Sequence, residues 1–165
     1  MQQTVGLVGV GIMGQRMGRN LIRAEFPLVA FDVNSAARDT AKQLGAQVAA
    51  DLPTLARLAD VVLLSLPDPG AVLQVVDGPG GLLAHARPGT FLCDASTLDP
   101  ATSRKVHALA ATRGVRALDC PVSGGPTGAE AGTGAGARER TAVSARRFCA
   151  QQSSVDSEQV GDSLP

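Results

Sequence analysis

Gly9-Val10-Gly11-Ile12-Met13-Gly14 is the stretch whose reading decides the fold. It closes an apolar run, Thr4 to Val10, that reads as a buried strand. It opens a segment, Met13 to Ala24, with apolar residues at Met13, Met17, Leu21 and Ile22, which is helical spacing. Strand, glycine turn and helix in that order begin a dinucleotide-binding unit. Gly9 permits the tight turn, Gly11 lets the backbone approach a pyrophosphate, and Gly14 lets the helix pack close to the strand. Ile12 and Met13 open the helix, where unpaired N–H groups and the dipole favour a phosphate. A ligand-free glycine turn could carry the same spacing, but it would not require an acid at the end of the next strand. Asp32 stands there.

Asp32 also bears on the cofactor. A carboxylate at that point accepts hydrogen bonds from ribose hydroxyls and repels a 2′-phosphate, which points to NAD. No arginine directly follows the acid in Phe31-Asp32-Val33-Asn34. Arg38, a turn further on, could help to accommodate a 2′-phosphate, so NADP stays open.

Beyond this unit, strand and helix alternate. Strands are expected at Leu28 to Phe31, Gln47 to Ala50, Val61 to Leu66, Phe91 to Asp94 and Val115 to Asp119. Helices are expected from Asn34 or Ser35 to Leu44 with Gly45 as the stop, then Leu52 to Ala59, Pro69 to Val76, and Pro100 to Arg113 capped by Asp99. Gly78 to Gly81 reads as a loop. The expected fold class is α/β, a doubly wound parallel sheet of the Rossmann type. Residues 1–134 form that domain, and residues 135–165, poor in apolar periodicity, read as a mostly disordered tail. A short helix from Arg138 to Ala150 is an alternative for part of it.

The 15 basic and 15 acidic side chains balance, so nothing suggests an electrostatic footprint for nucleic acid. Four Phe and no Trp or Tyr leave little to stack on bases. Cys93, Cys120 and Cys149 are too few and too scattered for a disulfide framework or a metal centre, and the first two read as buried thiols near strand ends. No signal peptide or membrane-spanning run is visible, so a soluble cytoplasmic protein is expected.

A second motif runs Asp119-Cys120-Pro121-Val122-Ser123-Gly124-Gly125 and continues to Gly128 and Gly132-Thr133. It reads as a strand end opening into a loop rich in hydroxyl and main-chain N–H groups. Such a loop at the carboxyl edge of a parallel sheet suits a carboxylate substrate, held by Ser123, Gly124 and Gly125. A flexible glycine loop without a ligand is the other reading.

Taken with Met17, Asn20-Leu21, Leu66-Pro67 and Asp94-Ala95-Ser96-Thr97, these motifs occur in an order and spacing that resemble the β-hydroxyacid dehydrogenase family. The 3-hydroxyisobutyrate dehydrogenases are the nearest match within it, over about residues 1–134. The resemblance implies a Rossmann domain followed by an all-helical domain. It places Leu66 and Pro67 beside the cofactor, Ser96 and Thr97 near the nicotinamide ribose, and Ser123, Gly124 and Gly125 at the substrate carboxylate. It implies hydride transfer between a small 3-hydroxy acid and the nicotinamide, with a lysine as acid and base on the hydroxyl. Reduction of tartronate semialdehyde is a neighbouring possibility, and a non-catalytic NAD-binding module is a third.

The chain departs from the family where that lysine belongs. Its two lysines, Lys42 and Lys105, fall on expected Rossmann helices, where a solvated face is their expected place. His85 and His107 lie in a loop and mid-helix, away from strand ends, and read as structural. No catalytic residue is identifiable, and neither the helical domain nor an oligomeric state can be carried over. After Gly134 the composition turns abruptly to Arg, Ala, Ser and Gln, as translation of a GC-rich gene in a shifted frame would produce. A sheet edge without its next strand and an interface without its helical partner imply weak stability or aggregation.

Overall fold

The computed structural model describes residues 3–120. Ser123, Gly124, Gly125, Cys149, the end of the first domain and the tail 135–165 lie outside the described residues.

Among the described residues, six strands form one parallel sheet: β1 (Val5–Val8), β2 (Leu28–Phe31), β3 (Gln47–Val48), β4 (Val61–Leu64), β5 (Phe91–Asp94) and β6 (Arg116–Asp119). Their order across the sheet is β3-β2-β1-β4-β5-β6, the doubly wound arrangement of a Rossmann domain. The order reverses between β1 and β4, and a crevice at their carboxyl ends follows from that reversal.

Among the described residues, five α-helices cover the two faces: α1 (Ile12–Arg23), α2 (Ser35–Gln43), α3 (Leu52–Leu58), α4 (Pro69–Asp77) and α5 (Pro100–Ala111). Strand side chains alternate between two buried clusters, as period-two geometry requires. Leu7, Ala30, Leu63 and Cys93 pack with Met17 and Leu21 of α1 and Ala41 of α2. Val8, Val29, Leu64 and Leu92 pack with Leu55 of α3, Val72 of α4 and Val106 of α5. Gly6 sits under α3, where a methyl group would come within 2.9 Å of the Ala59 Cβ.

Four helices carry the side-chain caps that sequence favours. Asn34, Asp51, Asp68 and Asp99 each accept from a main-chain N–H of the first turn. Gly45 takes φ +95° just beyond α2, as expected of a stop residue.

Several boundaries differ from expectation. The first strand ends at Val8 because Gly9 adopts φ +90° and turns the chain out of the sheet. The strongest apolar run forms strand only as far as Leu64, since the chains part at the crevice beyond Ser65. Gln47 to Ala50 contributes just two ladder residues, and the last helix stops at Ala111 rather than Arg113. A short 3₁₀ turn, Leu82–Ala84, follows the glycine loop and buries Leu82 and Leu83 under the α3–α4 face.

Candidate cofactor site

A cavity of about 610 Å³ opens where the strand order reverses. Gly9, Gly11, Ile12 and Met13 line it from the β1–α1 turn, and Asp32 and Val33 from the end of β2. Ser65, Leu66 and Pro67 close it from the end of β4, and Ala71, Gln74 and Val75 from α4.

The three glycines of the turn differ in what forbids a side chain. At Gly9 the positive φ and a Cβ position 2.2 Å from the Ser65 carbonyl oxygen require glycine. At Gly14 a Cβ would meet the Gly9 carbonyl oxygen at 2.0 Å, so the residue lets α1 close onto the turn itself rather than onto the strand proper. Gly14 lies behind the cavity and does not line it. At Gly11 a Cβ would meet nothing within 4 Å, because the space in front of it is the cavity. A backbone left open in this way is a cradle that a methyl group would begin to fill.

The adjoining helix end is equally open. α1 has no side-chain cap, whereas the other four α-helices do. Its first-turn N–H groups and the positive end of its dipole therefore face the cavity rim without a protein carboxylate or hydroxyl cap. Together with the open Gly11, this fits the diphosphate of a dinucleotide.

Asp32 is anchored beside the glycine turn. Its Oδ2 accepts from Val10 N at 2.7 Å and its Oδ1 from Asn34 N at 2.8 Å. Each oxygen retains a lone pair for a ribose hydroxyl. Arg38 of α2 lies nearby, with Nη1 donating to the carbonyls of Asp32 and Val33 at 2.8 and 3.0 Å.

Leu66 and Pro67 line the cavity, but Ser96 and Thr97 do not. Ser96 is buried, and its Oγ accepts a hydrogen bond from Leu66 N at 3.0 Å, which ties the β5 end to the cavity wall. Ser96 instead borders a second cavity of about 300 Å³ beside Asp94, Ser103, Arg104 and Asp119. Asp94 is buried there. One carboxyl oxygen accepts from Ser96 N at 2.8 Å and the other has no partner. Burial pushes its carboxyl above the usual 3.8, and the neighbouring Asp119 adds to that push, while the Ser96 bonds oppose it.

The remaining expected residues fall apart from the main cavity. Lys42 pairs with Asp39 at 3.2 Å on the exposed side of α2, and Lys105 is exposed on α5. His85 follows the 3₁₀ turn. His107 lies mid-helix as expected but does reach a strand end, contrary to its reading as away from one: its Nε2 lies 3.3 Å from Asp119 Oδ1, because α5 packs along β6. Ser103 Oγ donates to the other oxygen of the same carboxylate.

Val33, Ala71, Gln74 and Val75 are cavity residues that sequence reasoning missed. Val33 had a readable signal, an apolar side chain between Asp32 and the helix cap Asn34, and it is 87% exposed. The α4 residues had none, since their facing depends on how that helix packs against α5 and the Leu82–Ala84 turn.

The family model for the NAD-binding domain of 6-phosphogluconate dehydrogenase matches residues 4–151. This chain belongs to that NAD-binding domain family. The domain is similar to a protein of Dictyostelium discoideum described as "Probable 3-hydroxyisobutyrate dehydrogenase, mitochondrial", 43% identical over 131 residues, which are 79% of this chain and 41% of that protein. Among solved structures it is similar to Mycobacterium tuberculosis 3-hydroxyisobutyrate dehydrogenase with L-serine. That likeness has 38% identity and a TM-score of 0.76, over 80% of this chain and 44% of the other. Psf3, solved in complex with NADP+ and 2-OPP, is 35% identical with a TM-score of 0.75, over 78% of this chain and 46% of the other. The chain spans about two fifths of the length of the curated relatives it matches. It is an NAD-binding domain of the kind found in 3-hydroxyisobutyrate dehydrogenase-like β-hydroxyacid dehydrogenases. Among the described residues, no helix is long and apolar enough to cross a membrane.

Proposed function

We propose that this NAD-binding domain supplies the cofactor half of a cytoplasmic oxidoreductase that exchanges a hydride with a small 3-hydroxy acid, in the manner of 3-hydroxyisobutyrate dehydrogenase. The observation that carries the proposal is the conjunction of the open Gly11, the uncapped α1 and the anchored Asp32 around one cavity. NAD, when bound, supplies the hydride acceptor. The protein's own residues hold it: Gly9, Gly11, Ile12 and Met13 at the diphosphate, with Gly14 letting α1 approach, and Asp32 at the adenosine ribose. Leu66 and Pro67 form the wall toward the reacting end, and Ser96 fixes that wall through the Leu66 N–H. Thr97 belongs to the same strand-end segment. Ser123, Gly124 and Gly125 are assigned to the substrate carboxylate.

Alcohol oxidation also needs a proton acceptor within hydrogen-bond reach of the hydroxyl. Lys42 and Lys105 are both remote from the cavity lining, so neither takes that role. The acceptor comes from a polypeptide segment beyond this domain, and without it the chain binds cofactor without turnover. Tartronate semialdehyde is the runner-up substrate, since side chains outside this domain share in the choice.

The test is a chimera joining this domain, through Gly125, to the remainder of the Mycobacterium tuberculosis enzyme. The chimera is expected to reduce NAD with 3-hydroxyisobutyrate in preference to L-serine. A folded chimera that binds NADH and oxidises no 3-hydroxy acid would overturn the reading.

A further inference from the structure

We propose that Asp94 is a positioning residue for the nicotinamide half of the dinucleotide, acting through Ser96 on the Leu66 wall. The inference rests on reading the large cavity as a dinucleotide site, and it extends that reading to a side chain that does not line the cavity.

Strand order fixes which half of the cofactor is concerned. The glycine turn leaves β1, and Asp32 follows β2 on one side of it. β4 lies on the other side. A diphosphate on the turn and a ribose at Asp32 therefore leave the second nucleotide half to lie over the end of β4. Leu66 and Pro67 follow β4 and line the cavity there.

Three hydrogen bonds gather at the end of β5. Asp94 Oδ1 accepts Ser96 N at 2.8 Å, the two-residue turn that an aspartate makes with its own backbone. Ser96 Oγ in turn accepts Leu66 N at 3.0 Å. The Asp94 carbonyl accepts Cys120 N at 2.7 Å, so the same residue also ties the exit of β6.

Packing alone does not hold Ser96. It borders the small cavity of about 300 Å³ together with Asp94, Leu98 and Ser103, so it has room to retreat once its tie to Asp94 is cut. Leu66 N would then lose its acceptor, and the wall of the large cavity its anchor. Asp94 itself is 3% exposed, and its second carboxyl oxygen has no partner among the described residues. That is a costly way merely to fill the core, and the path from Asp94 to Leu66 gives the acid a task.

The experiment is a calorimetric titration of the full chain with NADH and with ADP-ribose, which carries the adenosine and diphosphate but no nicotinamide. The readout is the margin by which NADH binds more tightly. Asp94→Val removes the acceptor and keeps a β-branched side chain suited to a buried strand. Asp94→Ala carries the same test where the larger group does not fold. In either variant ADP-ribose affinity is expected to hold while the margin shrinks ~threefold to tenfold, as loss of one hydrogen bond implies. Asp94→Asn keeps an acceptor for Ser96 N and is expected to keep the margin. In a Ser96→Ala background the Asp94 change should add nothing, since both cut the same path.

A wild type without a margin, or a margin unchanged in the folded Asp94→Val or Asp94→Ala chain, would overturn the proposal. So would a loss shared equally by ADP-ribose, an Asn variant as impaired as the others, or a full further loss in the Ser96→Ala background. A folded wild-type chain that binds neither ligand would instead overturn the cavity reading beneath it.

Discussion

The Asp32 carboxylate accepts the Val10 main-chain N–H at 2.7 Å, which ties the end of β2 to the middle of the glycine turn. Its other oxygen accepts Asn34 N at 2.8 Å and shapes the approach to α2. One side chain thus joins the glycine turn to the approach of α2 and brings a carboxylate to the cavity lining.

Asp32→Ala should therefore act twice. Loss of a charged acceptor for two main-chain donors should lower unfolding stability by about 1–3 kcal/mol in a denaturant titration. NADH affinity should fall ~tenfold or more at temperatures where the variant is still folded. A variant of unchanged stability would show that the Val10 and Asn34 bonds contribute nothing net.

Gly11→Ala and Gly14→Ala should separate binding from folding. At Gly14 a methyl group strikes the Gly9 carbonyl oxygen, and overpacking of this kind costs about 1–3 kcal/mol or more. At Gly11 it meets open space with an ordinary backbone φ of −72°, so stability should change by less than about 0.5 kcal/mol. NADH affinity should nevertheless drop ~tenfold or more at Gly11. Thermal unfolding beside cofactor titration reads both effects, and an unimpaired Gly11→Ala would remove the pyrophosphate from this position.

Ser96→Ala tests the cavity wall. The variant leaves Leu66 N without its acceptor in a part-buried setting, which should cost about 1–3 kcal/mol. NADH affinity should weaken less than in Gly11→Ala, because Ser96 acts through Leu66 and does not line the cavity. A loss of affinity as large as that of Gly11→Ala, with stability unchanged, would make Ser96 a direct cofactor contact.

Acid dependence should split at the ordinary carboxylate range. Burial raises the Asp94 carboxyl above 3.8, so the folded protein holds that proton more tightly than the unfolded chain. Its contribution is fully present below pH 3.8 and is lost as pH rises through the folded-state value. Asp51 and Asp99 are exposed helix caps whose carboxyls are held low by hydrogen bonds from Thr54 and Thr102. Their contribution is present above pH 3.8 and is lost as pH falls through their folded-state values. Asp94→Asn keeps an acceptor for Ser96 N and cannot ionise. Its stability relative to the wild type should therefore grow as pH rises from about 4 toward neutral. Denaturant midpoints at several pH values check this, and a flat difference would mean that Asp94 ionises without cost.

Local chemistry was readable where it acted over a few residues. Leu28–Phe31 and Phe91–Asp94 form strands with the bounds their apolar runs suggest, because Pro27 and Pro88-Gly89 mark where they start and polar or small residues follow the last apolar positions. Glycine spacing, Asp32 and Leu66-Pro67 could be picked out in the same way, and all of them but Gly14 line one cavity. What escaped depends on contact between distant segments. Gln74 and Val75 reach the cavity only because of how α4 packs against α5 and the Leu82–Ala84 turn, and Ser96 meets Leu66 across thirty positions of chain. The Leu82–Ala84 turn is too short to show a period, and only its burial beneath neighbouring helices fixes it. His107 reached Asp119 for the same reason, since nothing in the helix alone reveals which strand end it overhangs.

The most direct test of the central claim is a titration of NADH into the full chain, following the coenzyme's own fluorescence, which no Trp or Tyr obscures. Saturable binding that weakens ~tenfold or more in Gly11→Ala, with the variant's folding intact, is the predicted result. A soluble, folded chain that leaves NADH fluorescence unchanged at every concentration would contradict the assignment of this cavity to a dinucleotide.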